Sequence, residues 1–224
     1  MSWICKKCET ENDESLRRCE VCGESAPLIY RFGEYNWTVL ANKNGNSLII
    51  CNDIIRNIPY NNERTAVTWE TCSLRKWLNG EFHASLSPEE QSRIVLTVNE
   101  NDNNAWEGTK GGSKTHDRVF VLSLSEVLAY FGDSGDIKSR KKKNNDGDED
   151  SIGNLLHDQF NQARMAQYSH APAWWWLRTP GRNQKMAIRV NINGSIDLSG
   201  AYVQLGGSSG GVRPALWIKT PDVS

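Results

Sequence analysis

Four of the six cysteines of this chain lie within its first 22 residues, at the spacing C-x2-C-x10-C-x2-C. Two C-x-x-C pairs can place four thiolates tetrahedrally around one Zn²⁺, with Zn–S distances of about 2.3 Å. A segment this short cannot bury enough apolar surface to fold unaided, so metal binding would supply its folding free energy. Two disulfides are the alternative. We favour zinc because no export signal is visible and the cytosol keeps thiols reduced. The predicted zinc ligands are Cys5, Cys8, Cys19 and Cys22.

Trp3 and Asn12 stand at fixed spacings from these cysteines. With them, residues 3–22 resemble the zinc finger named after the Ran-binding nucleoporin. The resemblance implies two stacked hairpins around one structural Zn²⁺, with the four cysteines as ligands and with Trp3 and Asn12 supporting the fold. We therefore assign residues 1–26 to a four-cysteine zinc-finger module.

The surfaces by which that family binds single-stranded RNA or ubiquitin are not carried over. RNA binders place a base-stacking aromatic residue directly after the Asn, where this chain has Asp13. A carboxylate there repels phosphate and offers no ring for a base. Ubiquitin binders carry Thr-Phe after the second cysteine, where this chain has Glu9-Thr10. We interpret the finger as a module for protein docking or for stability.

Length and charge limit what the rest of the chain can be. The chain has 224 residues, with 26 basic and 27 acidic side chains and a formal net charge of -1. This length suits one ordinary domain beside a small module, so we predict a connector at residues 27–34 and a domain at 35–220. The near-zero net charge removes any global argument for nucleic-acid binding. No apolar run approaches the roughly 20 residues of a membrane-spanning helix, so we expect a cytoplasmic protein without a membrane partner.

Hydrophobic periodicity predicts mixed α and β structure after the connector. Asn44-Gly45 is a hairpin turn signal between two alternating segments. A helix at residues 73–78 is expected to end at Asn79-Gly80. Ser87 and Ser123 each begin a capping box, which predicts a helix start. The strands predicted in this part of the chain lie at residues 35–40, 47–51, 94–98 and 118–122.

Residues 133–151 form a low-complexity insertion in which a basic run precedes an acidic run. Adjacent like charges and few apolar groups predict a solvated, mobile loop. The basic run, with Lys141, Lys142 and Lys143, raises the alternative that the chain binds nucleic acid through this loop and the finger. The acidic block beside it would cancel much of its field.

Residues 174–219 begin with the motif Trp-Trp-Trp-Leu-Arg-Thr-Pro-Gly and end with Gly-Val-Arg-Pro-Ala-Leu followed by a last short strand. Between the motifs, apolar and polar residues alternate as in a half-buried strand, and Asn193-Gly194 predicts a tight turn. The polar side is either an ordinary solvent face or a recognition surface, since Tyr, Asn and Arg are typical of adaptable binding surfaces. The apolar side is assigned to the core and consists of Met186, Ile188, Val190 and Ile192.

These motifs resemble those of an uncharacterised bacterial domain family, to which residues 35–219 are similar. The family is related in pattern to the C-type-lectin-like and formylglycine-generating-enzyme-like folds, and several members resemble variable proteins of diversity-generating retroelements. The resemblance implies an α+β, C-type-lectin-like domain in which the segment between the motifs forms a ligand-binding face. The long Asn-rich runs of strongly diversified members are absent, which argues against active diversification here. The positions implied as scaffold are Trp176, Arg178, Gly181 and Arg213-Pro214. The implied ligand-binding residues are Arg182, Asn183, Gln184, Lys185, Arg189, Asn191, Asn193, Asp197 and Tyr202.

The sequence offers no residues to carry catalysis. The formylglycine-type oxidase needs a reactive cysteine pair in its C-terminal part, and this chain has no cysteine after Cys72. Cys51 and Cys72 are interpreted as buried thiols, because no matched base is identifiable beside them. The four scattered histidines are interpreted as surface residues. The sequence thus predicts a noncatalytic protein that binds a ligand, and the expected ligand is another protein. The alternatives are nucleic-acid binding and an enzyme whose site is not recognisable from sequence.

Overall fold

A computed structural model describes residues 2–4, 10–13, 18–23, 29–139, 154–206 and 210–219, and within these ranges the chain is a mixed α+β protein in which strands predominate. The strands are β1 (Ser2–Ile4), β2 (Glu11–Asp13), β3 (Ile29–Phe32), β4 (Tyr35–Lys43), β5 (Asn46–Cys51), β6 (Thr97–Asn99), β7 (Thr115–Asp117), β8 (Leu155–Leu156), β9 (Ala166–Tyr168), β10 (Ala171–Pro180), β11 (Met186–Val190), β12 (Ile196–Tyr202), β13 (Gly210–Gly211) and β14 (Ala215–Lys219). The helices are α1 (Ser73–Trp77), a π-helical turn (Leu78–Phe82), α2 (His83–Ser85), α3 (Pro88–Arg93), α4 (Leu124–Phe131) and α5 (Asn161–Arg164).

Two sheets organise the described part of the chain. The larger sheet has the strand order β13-β10-β11-β12-β8, and β9 also pairs with β10. The smaller sheet has the order β14-β5-β4-β3, and two short pairs, β1-β2 and β6-β7, stand apart from both. The tryptophan-rich motif forms β10, and the Gly-Gly that opens the second motif forms β13, which pairs with β10 in parallel. The start of the second motif therefore lies beside the first motif in the larger sheet, whereas its Ala215 and Leu216 lie in β14 of the smaller sheet.

One hydrophobic cluster connects the two sheets. Trp175 of β10 and Ile49 of β5 are both fully buried in it. Arg213 links the sheets, because its guanidinium lies 5.1 Å from the centroid of the Trp175 ring and its Nε donates to the Cys51 carbonyl oxygen at 2.8 Å. Burial lowers the pKa of Arg213 to about 10, so the side chain still carries its charge at neutral pH.

The local signals for the hairpin and the capped helices are confirmed. The strands β4 and β5 flank the Asn44-Gly45 turn. Ser87 and Ser123 each accept a hydrogen bond from the backbone N–H three residues on, and each capping box is complete, with Glu90 and Glu126 respectively. These features depend on contacts between close neighbours, which is why sequence spacing predicts them.

The connector predicted at residues 27–34 contains β3, which pairs with β4 along its whole length. The turn between these strands is held by Glu90, whose carboxylate accepts a hydrogen bond from the Gly33 N–H at 2.7 Å. The glycine and proline content of this short segment favours a linker. Its pairing with β4 is instead stabilised by Glu90 of α3, and no local sequence pattern reveals this contact.

The helix end predicted at Asn79-Gly80 is wrong. The helical path continues from α1 through the π-helical turn into α2, which ends at Ser85. Asn79 does not act as a C-cap, because its amide donates to the Val119 carbonyl oxygen at 2.9 Å and accepts from the Arg118 N–H at 2.7 Å. A tertiary contact thus stabilises a residue pair that otherwise favours helix termination.

The strands predicted at residues 94–98 and 118–122 are also wrong in extent. The observed pair is β6 with β7, which covers the end of the first segment and the residues before the second. The apolar run at 119–122 is almost completely buried, and its Phe120 forms an isolated bridge with Ala215. A segment that is buried on all sides has the apolar composition of a strand even when it does not pair along its length with a neighbouring strand. Hydrophobicity alone therefore misassigns it.

The charged insertion predicted to be mobile falls largely outside the described residues. Residues 133–139 are described, and Ile137 among them is buried, whereas residues 140–151, including Lys141, Lys142 and Lys143, are not described. None of the helices in the described ranges is long and apolar enough to cross a membrane.

Asp117, at the end of β7, is a fully buried carboxylate that orders the loops around it. It accepts hydrogen bonds from Trp69 Nε1 at 2.9 Å, Asn99 Nδ2 at 2.9 Å and Thr115 Oγ1 at 2.7 Å. Arg75 of α1 adds an ion pair at 2.5 Å between its Nε and the carboxylate. One side chain therefore joins α1, β6 and β7.

We expect Asp117→Asn to lower the free energy of unfolding by about 3 kcal/mol, because an amide N–H then replaces one oxygen of a fully buried carboxylate and faces hydrogen-bond donors such as Trp69 and Asn99. Urea unfolding followed by circular dichroism measures the change. The matched control is Glu100→Gln, which breaks the exposed ion pair with Lys114. This variant should lower the free energy of unfolding by no more than about 1 kcal/mol. Equal costs for the two variants would contradict the role assigned to Asp117.

The interpretation of Cys51 and Cys72 as buried thiols is confirmed, since each is no more than 1% exposed. Burial raises the pKa of the Cys51 thiol to about 12 and that of the Cys72 thiol to about 12. The thiolate is the nucleophilic form of cysteine, so neither side chain is a nucleophile at neutral pH.

Iodoacetamide at a pH of about 8.5 should therefore leave Cys51 and Cys72 unmodified in the folded chain and modify both in urea, as read by peptide mass spectrometry. The unfolded thiols ionise near pH ~8.5 while the folded ones stay protonated. The stability that these thiols contribute is complete below that pH and declines as pH rises toward about 12. Modification of either residue in the folded chain as fast as in urea would show that it is accessible.

Candidate binding site

The hairpin of β11 and β12 carries most of the predicted ligand-binding residues. Its turn is closed by hydrogen bonds from the Asn191 N–H to the Ser195 carbonyl oxygen and from the Gly194 N–H to the Asn191 carbonyl oxygen. Gly194 has φ +79°, and a Cβ there would lie 1.7 Å from the Asn161 carbonyl oxygen. The predicted Asn193-Gly194 turn is thus confirmed, and only glycine fits its second position.

One face of the larger sheet belongs to the core. Trp175, Val190, Ile196 and Leu156 lie side by side across β10, β11, β12 and β8. Each of them is no more than 1% exposed. The alternation of strand side chains then places their sequence neighbours on the opposite face.

The opposite face carries a row of side chains that includes charged as well as apolar residues. Trp176, Arg189, Asp197 and Leu155 lie side by side across the same four strands. Arg189 Nε lies 3.8 Å from Asp197 Oδ2, and the two side chains are 26% and 25% exposed. Trp176 is completely buried beside Tyr60, whose ring centroid lies 5.9 Å away. This face is therefore covered at one end and open around Arg189, Asp197 and Leu155.

The open part of this face is a groove of ≈ 690 Å³, which we call the Trp174 groove. Trp174 packs edge-on against Trp176 at a centroid distance of 4.8 Å, and the Arg189 guanidinium lies 5.5 Å from the Trp174 centroid. Gly210 lies against the Trp174 ring, since a Cβ there would come within 2.3 Å of it. Trp174 is therefore fixed from two sides. The groove is lined by Leu155, Pro172, Trp174, Arg189, Asn191, Ile192, Asn193, Ser195, Leu205 and Gly206.

Three large apolar side chains of the groove are exposed to solvent. Leu155 is 42% exposed, Ile192 is 52% exposed and Leu205 is 37% exposed. The core position predicted for Ile192 is wrong, because β11 ends at Val190 and Ile192 lies in the turn. Exposed apolar side chains gathered around a concave site are typical of an interaction surface.

The structure divides the nine predicted ligand-binding residues between the two ends of the hairpin. Arg189, Asn191 and Asn193 line the Trp174 groove, and Asp197 is the ion-pair partner of Arg189. The other five lie at the far end of β11, roughly 13 Å away for a strand of this length. None of the nine is buried. Those at the far end are Arg182, Asn183, Gln184, Lys185 and Tyr202.

Sequence reasoning missed the apolar half of the groove. Trp174 belongs to the tryptophan-rich motif, and strand alternation relative to Trp176 could have placed it on the face of Arg189. Pro172 lies only two residues before it. Leu155 and Leu205 come from separate segments, and no local pattern connects them to the hairpin.

The residues implied as scaffold are buried. Trp176, Arg178 and Arg213 are no more than 5% exposed. Arg178 donates to both carboxylate oxygens of Glu126, at 2.5 and 2.7 Å, and to the Val121 carbonyl oxygen at 3.0 Å. This bidentate pair fixes β10 against the first turn of α4.

Two of the four predicted zinc ligands lie among the described residues. Cys19 is buried and Cys22 is half-buried, and the Gly23 N–H donates to the Cys19 carbonyl oxygen at 2.9 Å. Asn12 is also buried, and its Oδ1 accepts from the Glu20 N–H at 3.0 Å. The β2 strand is thereby tied to the turn that carries these two cysteines.

Cys5 and Cys8 lie outside the described residues. Within the described ranges, no group of three or more His, Cys, Asp and Glu side chains could hold a metal ion. His116, His157 and His170 are exposed and His83 is half-buried, in keeping with their assignment to the surface.

Neither a curated protein nor a solved structure matches this chain. Residues 44–220 match the model of a family described as Domain of unknown function (DUF6273). The match begins in the β4-β5 turn and covers both sheets except β3 and β4. Because it spans most of the 224 residues, the chain belongs to the DUF6273 family.

Proposed function

We propose that this chain is a noncatalytic binding protein whose Trp174 groove recognises another protein. The observation that carries the proposal is the combination of exposed apolar walls with a guanidinium already ordered over Trp174. Ordered aromatic and arginine side chains contribute most of the energy of typical protein interfaces. Since these groups are held in place before binding, little conformational entropy is lost when a partner docks.

The charged groups of the groove support binding rather than chemistry. Arg189 and Asp197 face each other as an ion pair 3.8 Å apart, so each charge already has a partner within the groove. Asn191 and Asn193 add neutral hydrogen-bonding groups around the apolar walls. Ser195, which is 1% exposed, orders their side chains, because its hydroxyl accepts from Asn191 Nδ2 at 3.1 Å and donates to Asn193 Oδ1 at 2.7 Å. Such a surface orients a polypeptide through a few hydrogen bonds while apolar contact supplies the affinity.

The finer fold that we propose is C-type-lectin-like, in the manner of the variable proteins of diversity-generating retroelements. The α+β composition supports it, as does the pairing of β10, which contains the first motif, with β13, where the second motif begins. Residues 186–202 of the segment between the motifs form the β11-β12 hairpin, which suits a recognition segment. We further propose a cytoplasmic location, which the two free thiols Cys51 and Cys72 support.

The N-terminal module is proposed to bind one structural Zn²⁺ through Cys5, Cys8, Cys19 and Cys22, and to serve docking or stability. The ordered turn at Cys19 and Cys22 supports this assignment. Bound zinc would supply the folding energy that so short a segment lacks.

Elemental analysis of the purified chain should find about one zinc per molecule. The double variant Cys19→Ser, Cys22→Ser should lose it, because two of four thiolate ligands are removed. The control Cys72→Ser changes a buried thiol of the body and should retain the metal. If the wild-type protein contains no zinc and mass spectrometry finds disulfide-linked N-terminal peptides, the four cysteines form two disulfides and the zinc assignment is wrong.

Selection of a random peptide library against the full chain tests the groove. We expect enriched peptides whose binding falls at least about tenfold in the double variant Ile192→Asp, Leu205→Asp, because two carboxylates then face the apolar side chains of the peptide. Fluorescence anisotropy measures each affinity.

The matched control is Leu96→Asp, Val98→Asp, which changes two side chains that are each 53% exposed but lie on the β6 segment. These substitutions should leave the affinity unchanged, and circular dichroism should show both double variants folded. If the peptides bind both double variants with the affinity of the wild type, the groove is not part of the interface.

A further inference from the structure

The far end of the β11-β12 hairpin carries an arginine stacked on an exposed tyrosine. Tyr202, the last residue of β12, is 45% exposed, and the Arg64 guanidinium carbon lies 3.4 Å from the centroid of its ring. This is the contact distance of a guanidinium lying on the ring face. One face of the guanidinium is therefore covered, while its N–H groups point outward from its edge.

The loop that carries Arg64 is tied to the sheet on both sides. Before it, the Asn61 N–H donates to the Val203 carbonyl oxygen at 2.8 Å. After it, the Val67 N–H donates to the Gln184 carbonyl oxygen at 2.9 Å. Asn61 Nδ2 also donates to the Glu63 carbonyl oxygen at 2.9 Å, which shapes the turn. The position of Arg64 over Tyr202 thus follows from backbone hydrogen bonds to residues that flank two neighbouring strands.

Two more cations come from the turn that precedes β11. Lys185 is exposed, and its carbonyl oxygen accepts from the Val203 N–H at 3.0 Å, next to Tyr202. Arg182, whose side chain is 61% exposed, precedes it in the same turn and lies 3.7 Å from Glu107. Within the described residues, Arg64 and Lys185 make no ion pair. The surface formed by Arg64, Arg182, Lys185 and Tyr202 is the Arg64 patch.

We propose that the Arg64 patch binds an acidic segment of the protein partner, with a carboxylate received by the outward edge of the Arg64 guanidinium. A guanidinium offers two parallel N–H groups that match the two oxygens of a carboxylate. Stacking on Tyr202 holds that edge in place before binding, so less side-chain entropy is lost. Lys185 adds attraction for a further carboxylate, whereas Arg182 already has Glu107 beside it. This inference rests on the proposed function, because it names the chemistry of the partner.

The test uses the full chain and a short fluorescein-labelled peptide of alternating glutamate and alanine, with the glutamine counterpart and a thymidine oligonucleotide of equal charge as comparison probes. We expect the glutamate peptide alone to bind. Arg64→Glu should weaken its binding at least about tenfold, because repulsion replaces a charge-assisted pair. Tyr202→Ala should weaken it about threefold to tenfold, while Tyr202→Phe keeps the ring and the affinity.

Lys43→Glu is the matched control, since Lys43 is an exposed cation in the smaller sheet and the substitution changes the net charge equally. Equal weakening by Lys43→Glu and Arg64→Glu would show a diffuse charge effect and overturn the proposal. Failure of the peptide to bind, or tighter Arg64-dependent binding of the oligonucleotide, would overturn it as well.

The outcome is separate from that of the groove. If library peptides depend on Ile192 and Leu205 but the glutamate peptide does not bind, this inference alone fails. If no groove-dependent peptide is selected, the proposed function fails, whether or not Arg64 binds the acidic probe.

Discussion

The ion pair between Arg178 and Glu126 is the contact on which the arrangement of the larger sheet depends. Arg178 lies within β10, where it is 3% exposed, and it donates to both oxygens of the Glu126 carboxylate. The same carboxylate accepts from the Ser123 N–H at 2.8 Å, and Thr179 Oγ1 accepts from the Leu124 N–H at 2.9 Å. The first turn of α4 and the central strand β10 are therefore joined by these hydrogen bonds. Neither can shift without leaving a buried charge unpaired, which is far more costly than the loss of a surface pair.

This arrangement explains why the tryptophan-rich motif takes the form that it does. Arg178 and Thr179 fix β10 along its axis, and strand alternation then sends Trp175 into the core and Trp174 to the open face. Arg213 sits against Trp175 and bonds to Cys51 of the smaller sheet. The position of the Trp174 ring in the groove is thus set by two buried arginines.

The sequence predicts what depends on near neighbours. The Asn44-Gly45 and Asn193-Gly194 turns and the capping boxes at Ser87 and Ser123 follow from spacings of a few residues. The second role of Glu126, the continuation of the helix past Asn79 and the apolar walls of the groove all depend on residues tens of positions apart. Arg64 is the clearest case. Nothing around it in the sequence indicates Tyr202, which lies far along the chain and meets it only because the loop of Arg64 bonds to residues beside two adjacent strands.

The two ends of one hairpin offer a partner complementary kinds of contact. At the Asn191 end, exposed Leu155, Ile192 and Leu205 favour apolar side chains, and the guanidinium that lines the groove is already paired with Asp197. At the Tyr202 end, Arg64 is ordered and makes no ion pair within the described residues. Apolar burial contributes affinity, whereas charged contacts chiefly set the rate and orientation of docking. Because both ends belong to one rigid pair of strands, a partner that satisfies both must match a fixed separation, and that geometric requirement supplies specificity that neither end has alone.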